Sequence, residues 1–343
     1  MIPQFYRTEH AFQWSYAPDQ QRVFESAITW REQHATRPAG WDRRRVHLLL
    51  IDVQKDFCFP QGALFVAGRS GRGALEDNDR TARFIYDNLD RLTEISCTMD
   101  THFPHQIFFP SFWLQPDGKP PAPHREVSTA ELRAGALRPN PALATWLAAG
   151  DVEWLTRQTQ YYCAELEKAG KYKLYLWPPH CLLGSEGHTL AGVVHEARLF
   201  HAYARAARAW VEIKGANPLT EFYSALAPEV PSRHDGGLLE EPNTSFLRTL
   251  LEFDAVIIAG QASSHCVKST IDDLLSRIEP ELARKVYILR DCMSAVTVPD
   301  PQRPDQFLFD FTTQAEVALD RFREAGMHAV DSTTPMHEWP GMS

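Results

Sequence analysis

"FDAVIIAGQASSHCVKSTIDDL", Phe253–Leu274, decides the fold. Its first third is a continuous apolar run, the kind that lies buried on both faces of a parallel sheet. A small polar turn follows, then Cys266 and a spacing of apolar residues that predicts a helix over 266–278. Strand, turn and helix together make half of a βαβ unit.

The same grammar recurs along the chain. Short apolar runs at 47–53 ("HLLLIDV"), 92–100, 172–177, 210–215 and 285–291 predict further buried strands. Helical spacing appears at 75–92, 153–169, 190–209, 244–253 and 309–326. Strands alternating with helices predict an α/β fold: a doubly wound αβα sandwich around a mainly parallel sheet of about six strands. Residues 1–45 are aromatic and polar with weak periodicity, and read as an extension packed on a core domain of 46–330. Within that domain, about 113–170 carries the Pro-rich "LQPDGKPPAPHREVS" and short helix-like pieces, which read as an insertion. It is expected to serve as a pocket wall or lid, or else as a subunit contact. Residues 331–343 read as a tail.

In an open α/β sheet, ligands bind at the carboxyl ends of the strands. Asp52, Asp100, Lys214 and Cys266 all fall at or just beyond such ends. Lys214 closes the apolar "WVEIKG", and a buried ammonium needs an acid partner; Asp52 is a candidate. Asp52 and Asp56 can each cap a helix or act as a general base. In "CTMDTHFPH", Asp100 and His102 are two apart and project to one side of an extended chain. A carboxylate and imidazoles suit Zn²⁺, Mn²⁺ or Fe²⁺. His180, in the rigid turn of "LYLWPPHC", is a further imidazole, and proline would hold it in place. Cys266 at a helix start would face free N–H groups and the positive end of the helix dipole. That lowers a thiol pKa and favours the thiolate, more so beside a lysine. His265 is expected to point elsewhere, because neighbours on a helix diverge by about 100°.

Bulk properties narrow the classes. The formal net charge of -9 argues against nucleic-acid binding. The six cysteines, at 58, 97, 163, 181, 266 and 292, form no CxxC pair and no framework, so reduced thiols and a cytoplasmic setting are expected. No apolar run approaches the ~18 residues of a membrane span, so no membrane partner is expected.

Taken together, "LLIDVQKDFC", "DTH", "WPPHCLLGSEG", "EIKG" followed by "FYSAL", and "GQASSHCV" resemble the isochorismatase-like cysteine hydrolases, the nicotinamidases most closely. The motifs stand in the family's order over 46–300. The resemblance implies Cys266 as nucleophile, Asp52 as general acid/base and Lys214 as electrostatic partner. It implies a divalent metal, zinc foremost with iron or manganese as alternatives, held by Asp100, His102 and His180. It implies an oxyanion hole from the backbone N–H groups of Ala262 and Cys266, with a cis peptide between Gln261 and Ala262. Phe57, Trp177 and Tyr223 stand where the family places pocket aromatics. The implied reaction is hydrolysis of a small carboxamide, nicotinamide foremost, with ureido or carbamoyl substrates and a non-catalytic binding relative as the alternatives. A homo-oligomer is expected. The chain departs from the family at Ser264, where an acid is common, and in the long segment between His102 and Trp177. It also departs at His105, which follows the first metal histidine by three residues where some relatives have four.

Overall fold

The computed structural model describes residues 2–170, 172–300 and 302–342. Its centre is a six-stranded parallel sheet: β1 (Val46–Ile51), β2 (Glu94–Asp100), β3 (Ala209–Lys214), β4 (Ala255–Gly260), β5 (Val286–Leu289) and β6 (His328–Val330), in the order β6-β5-β4-β1-β2-β3. The chain builds outward from β1 to β3, then returns to β1's other side with β4. The reversal makes a crevice between the carboxyl ends of β1 and β4.

Every residue of β1 and β4 is buried, which is why their sequences are unbroken apolar runs. Successive side chains still alternate between faces. Leu48, Leu50, Ile257 and Ala259 join one core with helices α1 (Gln20–His34), α2 (Gly73–Asp87) and α4 (Gly192–Arg205). Leu49, Ile51, Val256 and Ile258 join the other, with α5 (Thr244–Leu251), α6 (Cys266–Arg277) and α7 (Thr312–Glu324). Helix α3 (Val152–Ala169) belongs to a third apolar cluster, centred on Trp113, Tyr162, Leu155 and Leu174.

Two elements differ from the sequence reading. The run at 172–177 does form a strand, Leu174–Leu176, but it pairs antiparallel with Arg125–Val127 outside the central sheet. The sixth central strand is instead β6, three residues long and too short to stand out as a run. Helix α1 was hidden in the extension because only Val23 and Ala27 of its fifteen residues are buried. It is set by its ends: the Asp19 carboxylate accepts the N–H of Arg22, and Ala35 turns left-handed (φ 50°). Among the described residues, no helix is long and apolar enough to cross a membrane.

Candidate active site

Sheet register brings the four strand-end residues together. Asp100 and Lys214 are paired neighbours at the ends of β2 and β3, and Ile51 pairs with Gly260 where β1 and β4 finish. Gly260 has φ +118°, and a Cβ there would sit 2.1 Å from the Ile51 carbonyl oxygen. Only glycine lets β4 turn away this close to β1. The turn then passes through a cis peptide between Gln261 and Ala262 and enters α6 with Cys266 as its first residue.

Lys214 sits at the hub. Its ammonium lies 2.9 Å from Asp52 Oδ2, 3.1 Å from Asp100 Oδ1 and 3.8 Å from Cys266 Sγ, and donates to the Phe222 carbonyl at 2.7 Å. Burial alone would discharge it, but Asp100 and Asp52 outweigh that and hold it protonated. Asp52 is fully buried, accepts from the Thr98 hydroxyl at 2.6 Å, and shares the Lys214 ammonium with Cys266. One ammonium shared by two buried carboxylates cannot fully hold both ionised. Burial therefore leaves Asp52 above the usual carboxylate range despite Lys214. Asp100 goes the other way: His102 and Lys214 overcome its burial and keep it below that range.

The expectation of a low-pKa thiolate is corrected here. Burial pushes the Cys266 thiol well above its ordinary value, against the pull of Lys214. The lysine charge is already committed to two closer carboxylates, and these repel a thiolate. Cys266 rests as a thiol with a base of raised proton affinity beside it.

Asp100, His102 and His180 form a second cluster against the first. All three are buried, and one ligand atom from each lies within 4.8 Å of the others. His102 Nδ1 donates to the Gly215 carbonyl at 3.0 Å, and His180 Nδ1 to that of Pro178 at 2.8 Å. Both Nε2 lone pairs are thereby aimed inward. His102 Nε2 is buried without a hydrogen-bond partner, 2.9 Å from Asp100 Oδ2. Two such atoms at that distance call for a cation between them, a proton or a metal ion, with backbone carbonyls fixing the rings from behind. Burial brings the His180 pKa down to about 3, the neutral form a ligand needs. Gly215 makes room: a Cβ there would meet Asp100 Oδ1 and His102 Cε1 at 2.7 Å. His105 is not part of the cluster.

A largely apolar cavity of about 240 Å³ opens onto both groups. Cys266, Ala262, Asp100, His102 and His180 reach it, and Phe57, Trp177 and Tyr223 line it. Asp52 and Lys214 lie behind this wall. Of 113–170, only His124 is a lining residue.

Three contributors were not anticipated. His265 lines the cavity, within 6.0 Å of the Trp177 ring and 5.8 Å of Tyr223. The expectation that it points away fails because His265 is the residue before α6, with φ -127° and ψ -97°, so helical divergence does not apply. Val296–Pro299, from a hairpin of Thr297–Asp300 with Arg303–Asp310, close one side. Glu221, a fully buried carboxylate in "LTEFYSAL", also reaches the cavity. Asp56, offered as a possible base, is instead a fastener: it accepts the N–H groups of Ala63 and Cys181. The second of these fixes the chain directly after His180, where Cys181 is left-handed (φ 47°).

No family model matches the chain. Over 135 residues, 38% of its length, it is 29% identical to the nicotinamidase of Escherichia coli (strain K12). That match spans 52% of the relative, so about half of the curated protein's length is represented. The structure of yeast nicotinamidase bound to the inhibitor nicotinaldehyde superposes with a TM-score of 0.50 at 18% identity, over 83% of this chain and 99% of that one. A nicotinamidase/pyrazinamidase of Acinetobacter baumanii gives 0.49 at 16% identity, over 85% and 98%. The chain has the isochorismatase-like fold. At these identities the superpositions speak to the fold alone.

Proposed function

We propose that the protein is a metal-assisted cysteine amidohydrolase that cleaves a small carboxamide through a thioester, with nicotinamide, giving nicotinate and ammonia, as the lead substrate. One observation carries this reading. A thiol, a raised-pKa carboxylate and a buried lysine meet beside an Asp-His-His cluster at the wall of one apolar cavity. The similarity to a curated nicotinamidase supports the choice of substrate.

In this mechanism Cys266 Sγ bonds to the carboxamide carbon as its proton passes to Asp52. The carbonyl π electrons move onto oxygen, which accepts hydrogen bonds from the backbone N–H groups of Ala262 and Cys266. Collapse of this intermediate breaks the C–N bond. Asp52 returns the proton to nitrogen, and ammonia leaves. Water then attacks the thioester carbon and gives a proton to Asp52. The C–S bond breaks, the sulfur takes that proton back, and the acid departs. Lys214 holds Asp52 in line and offsets its charge throughout. Asp100, His102 and His180 would hold a divalent cation, zinc foremost, which would supply a Lewis-acid site to orient a substrate carrying a ring nitrogen. Phe57, Trp177 and Tyr223 enclose the ring.

The test is ammonia release from nicotinamide by the zinc-supplemented protein and by Cys266→Ala. Release by the wild type and none above background by the variant are expected. Equal release by both would remove the thiol from the chemistry. A ureido or carbamoyl compound turned over while nicotinamide is not would redirect the substrate assignment.

A further inference from the structure

Glu221 has no part in the proposed chemistry, yet it is a carboxylate 3% exposed on the cavity wall. Leaving a charge there without a cation is costly. Burial, with Glu229 nearby, pushes its pKa up to about 8. Its hydrogen bonds indicate what that cost sustains. The Trp177 indole N–H, which can only donate, gives its proton to Tyr223 Oη at 3.0 Å. The one hydroxyl proton of Tyr223 is then directed to Glu221 Oε1 at 3.1 Å. On the other side, Tyr162 Oη accepts the Glu221 backbone N–H at 2.9 Å and donates to Oε2 at 2.8 Å. Once Glu221 is ionised, every proton in this chain has one destination.

The chain joins three parts of the molecule. Tyr162 is fully buried on α3 and does not reach the cavity. Trp177 and Tyr223 do reach it. The next residue after Glu221 is Phe222, whose carbonyl accepts from the Lys214 ammonium. Segment 221–223 is therefore pinned by α3 on one side and by the lysine on the other.

The geometry points to Glu221 as a positioning residue, locked by Tyr162 of α3, that fixes the Trp177–Tyr223 wall and so sets substrate affinity without touching the reacting bond. The part concerning affinity rests on the functional reading above. A glutamine cannot replace the ionised carboxylate, because it offers one acceptor oxygen to two donating hydroxyls. Loss of one such hydrogen bond corresponds to roughly tenfold in an equilibrium.

The experiment compares the wild type with Glu221→Gln, Tyr162→Phe and a control, Tyr86→Phe, which removes an equally buried hydroxyl from Glu196 in another part of the core. Two readouts are taken above about pH 8, where Glu221 is ionised. One is kcat and KM for nicotinamide. The other is the indole resonance of Trp177 in ¹⁵N-tryptophan-labelled protein, assigned with Trp177→Phe. Both site variants should move the Trp177 resonance and raise KM by about tenfold with kcat within about twofold, the pattern of lost uniform binding. Tyr86→Phe should do neither. An unmoved Trp177 resonance, an unchanged KM in an active enzyme, or the same changes from the control would each overturn the inference. A wild type inactive on nicotinamide whose Trp177 resonance still answers to Tyr162→Phe would sink the functional reading and leave the positioning role standing. Should Glu221→Gln fail to fold, Tyr162→Phe, which preserves shape, carries the test.

Discussion

The two sides of the cavity are built by different means. On one side, Asp52, Asp100 and Lys214 stand at the ends of adjacent parallel strands and Cys266 follows β4 through a tight turn, so that sheet register and that turn bring the other three within 4 Å of the lysine. On the other, Trp177, Glu221 and Tyr223 stand on irregular chain, tied to a helix by hydroxyl and carboxylate hydrogen bonds. The first side is rigid because the sheet is. The second is only as rigid as its polar chain. The groups proposed for catalysis stand on the first kind of support, and the wall proposed to select the substrate on the second.

Removing the hub should give the largest effect. Lys214→Met leaves Asp52 and Asp100 buried and facing one another without a cation. Breaking a buried ion pair from one side costs about 3–5 kcal/mol, and two pairs share this lysine. Denaturant unfolding should show at least that loss, together with loss of the proposed amide hydrolysis. A variant as stable as the wild type would mean that the sheet does not depend on the charges it carries.

This asymmetry explains what the sequence reveals. Asp52 and Asp100 close buried runs and can be placed from them, and the helices after β1, β3 and β4 are legible too; Lys214 instead ends the edge strand β3, expected to be buried but exposed or half-buried before the lysine, and Cys266 is placed by the turn after β4. Glu221 is not legible. In "LTEFYSAL" it looks like any surface acid, and its burial depends on Tyr162, 59 positions away. His265 misleads for a related reason: its direction depends on whether the helix has begun, a question settled by one ψ angle. Strand 174–176 could not be assigned to a sheet from its own residues, because its partner, 125–127, lies in a Pro-rich stretch that carries no strand pattern. The thiol pKa was misjudged because the dipole and lysine are visible in sequence, whereas complete burial and two competing carboxylates are not.

A metal effect comes next in size. Zn²⁺ should raise the melting temperature of the wild type, since a cation bound only by the folded state at 100 times its Kd adds about 2.7 kcal/mol. His180→Ala should lose most of that rise. A full rise in the variant would place the ion elsewhere and break the link between the strand-end cluster and cation binding.

A pH series separates the two sides by their protons. Glu221 has an ordinary carboxylate pKa when unfolded and one of about 8 in the fold. Below the unfolded value both states hold the proton and no penalty arises. As pH rises from about 5 towards 8, the unfolded state gives up its proton more readily and the fold loses stability. Tyr162, Tyr223 and Glu229 are the groups that set this value, beside burial. Glu221→Gln has no such proton, so its melting temperature should gain on the wild type across that interval, whatever its offset. Parallel curves would show that Glu221 does not titrate there.

The smallest expected effect lies at His105, and it bounds the strand-end side. The residue is three positions after His102, partly exposed, beyond Pro104, and its Nδ1 is buried without a partner. An orphaned imidazole nitrogen near a metal cluster invites a fourth ligand. The cluster is nevertheless closed by backbone carbonyls that fix only His102 and His180, and nothing comparable aims His105 at Asp100. A ligand that must be carried in by rearranging 103–106 would lose the preorganisation that makes the other three effective. His105→Ala should therefore leave the zinc-induced rise unchanged to within about 0.5 kcal/mol, the scatter of a substitution away from such features. A loss as large as that from His180→Ala would show that segment 103–106 closes on the ion. The division between a rigid strand-end cluster and an adaptable wall would then run through the metal site itself.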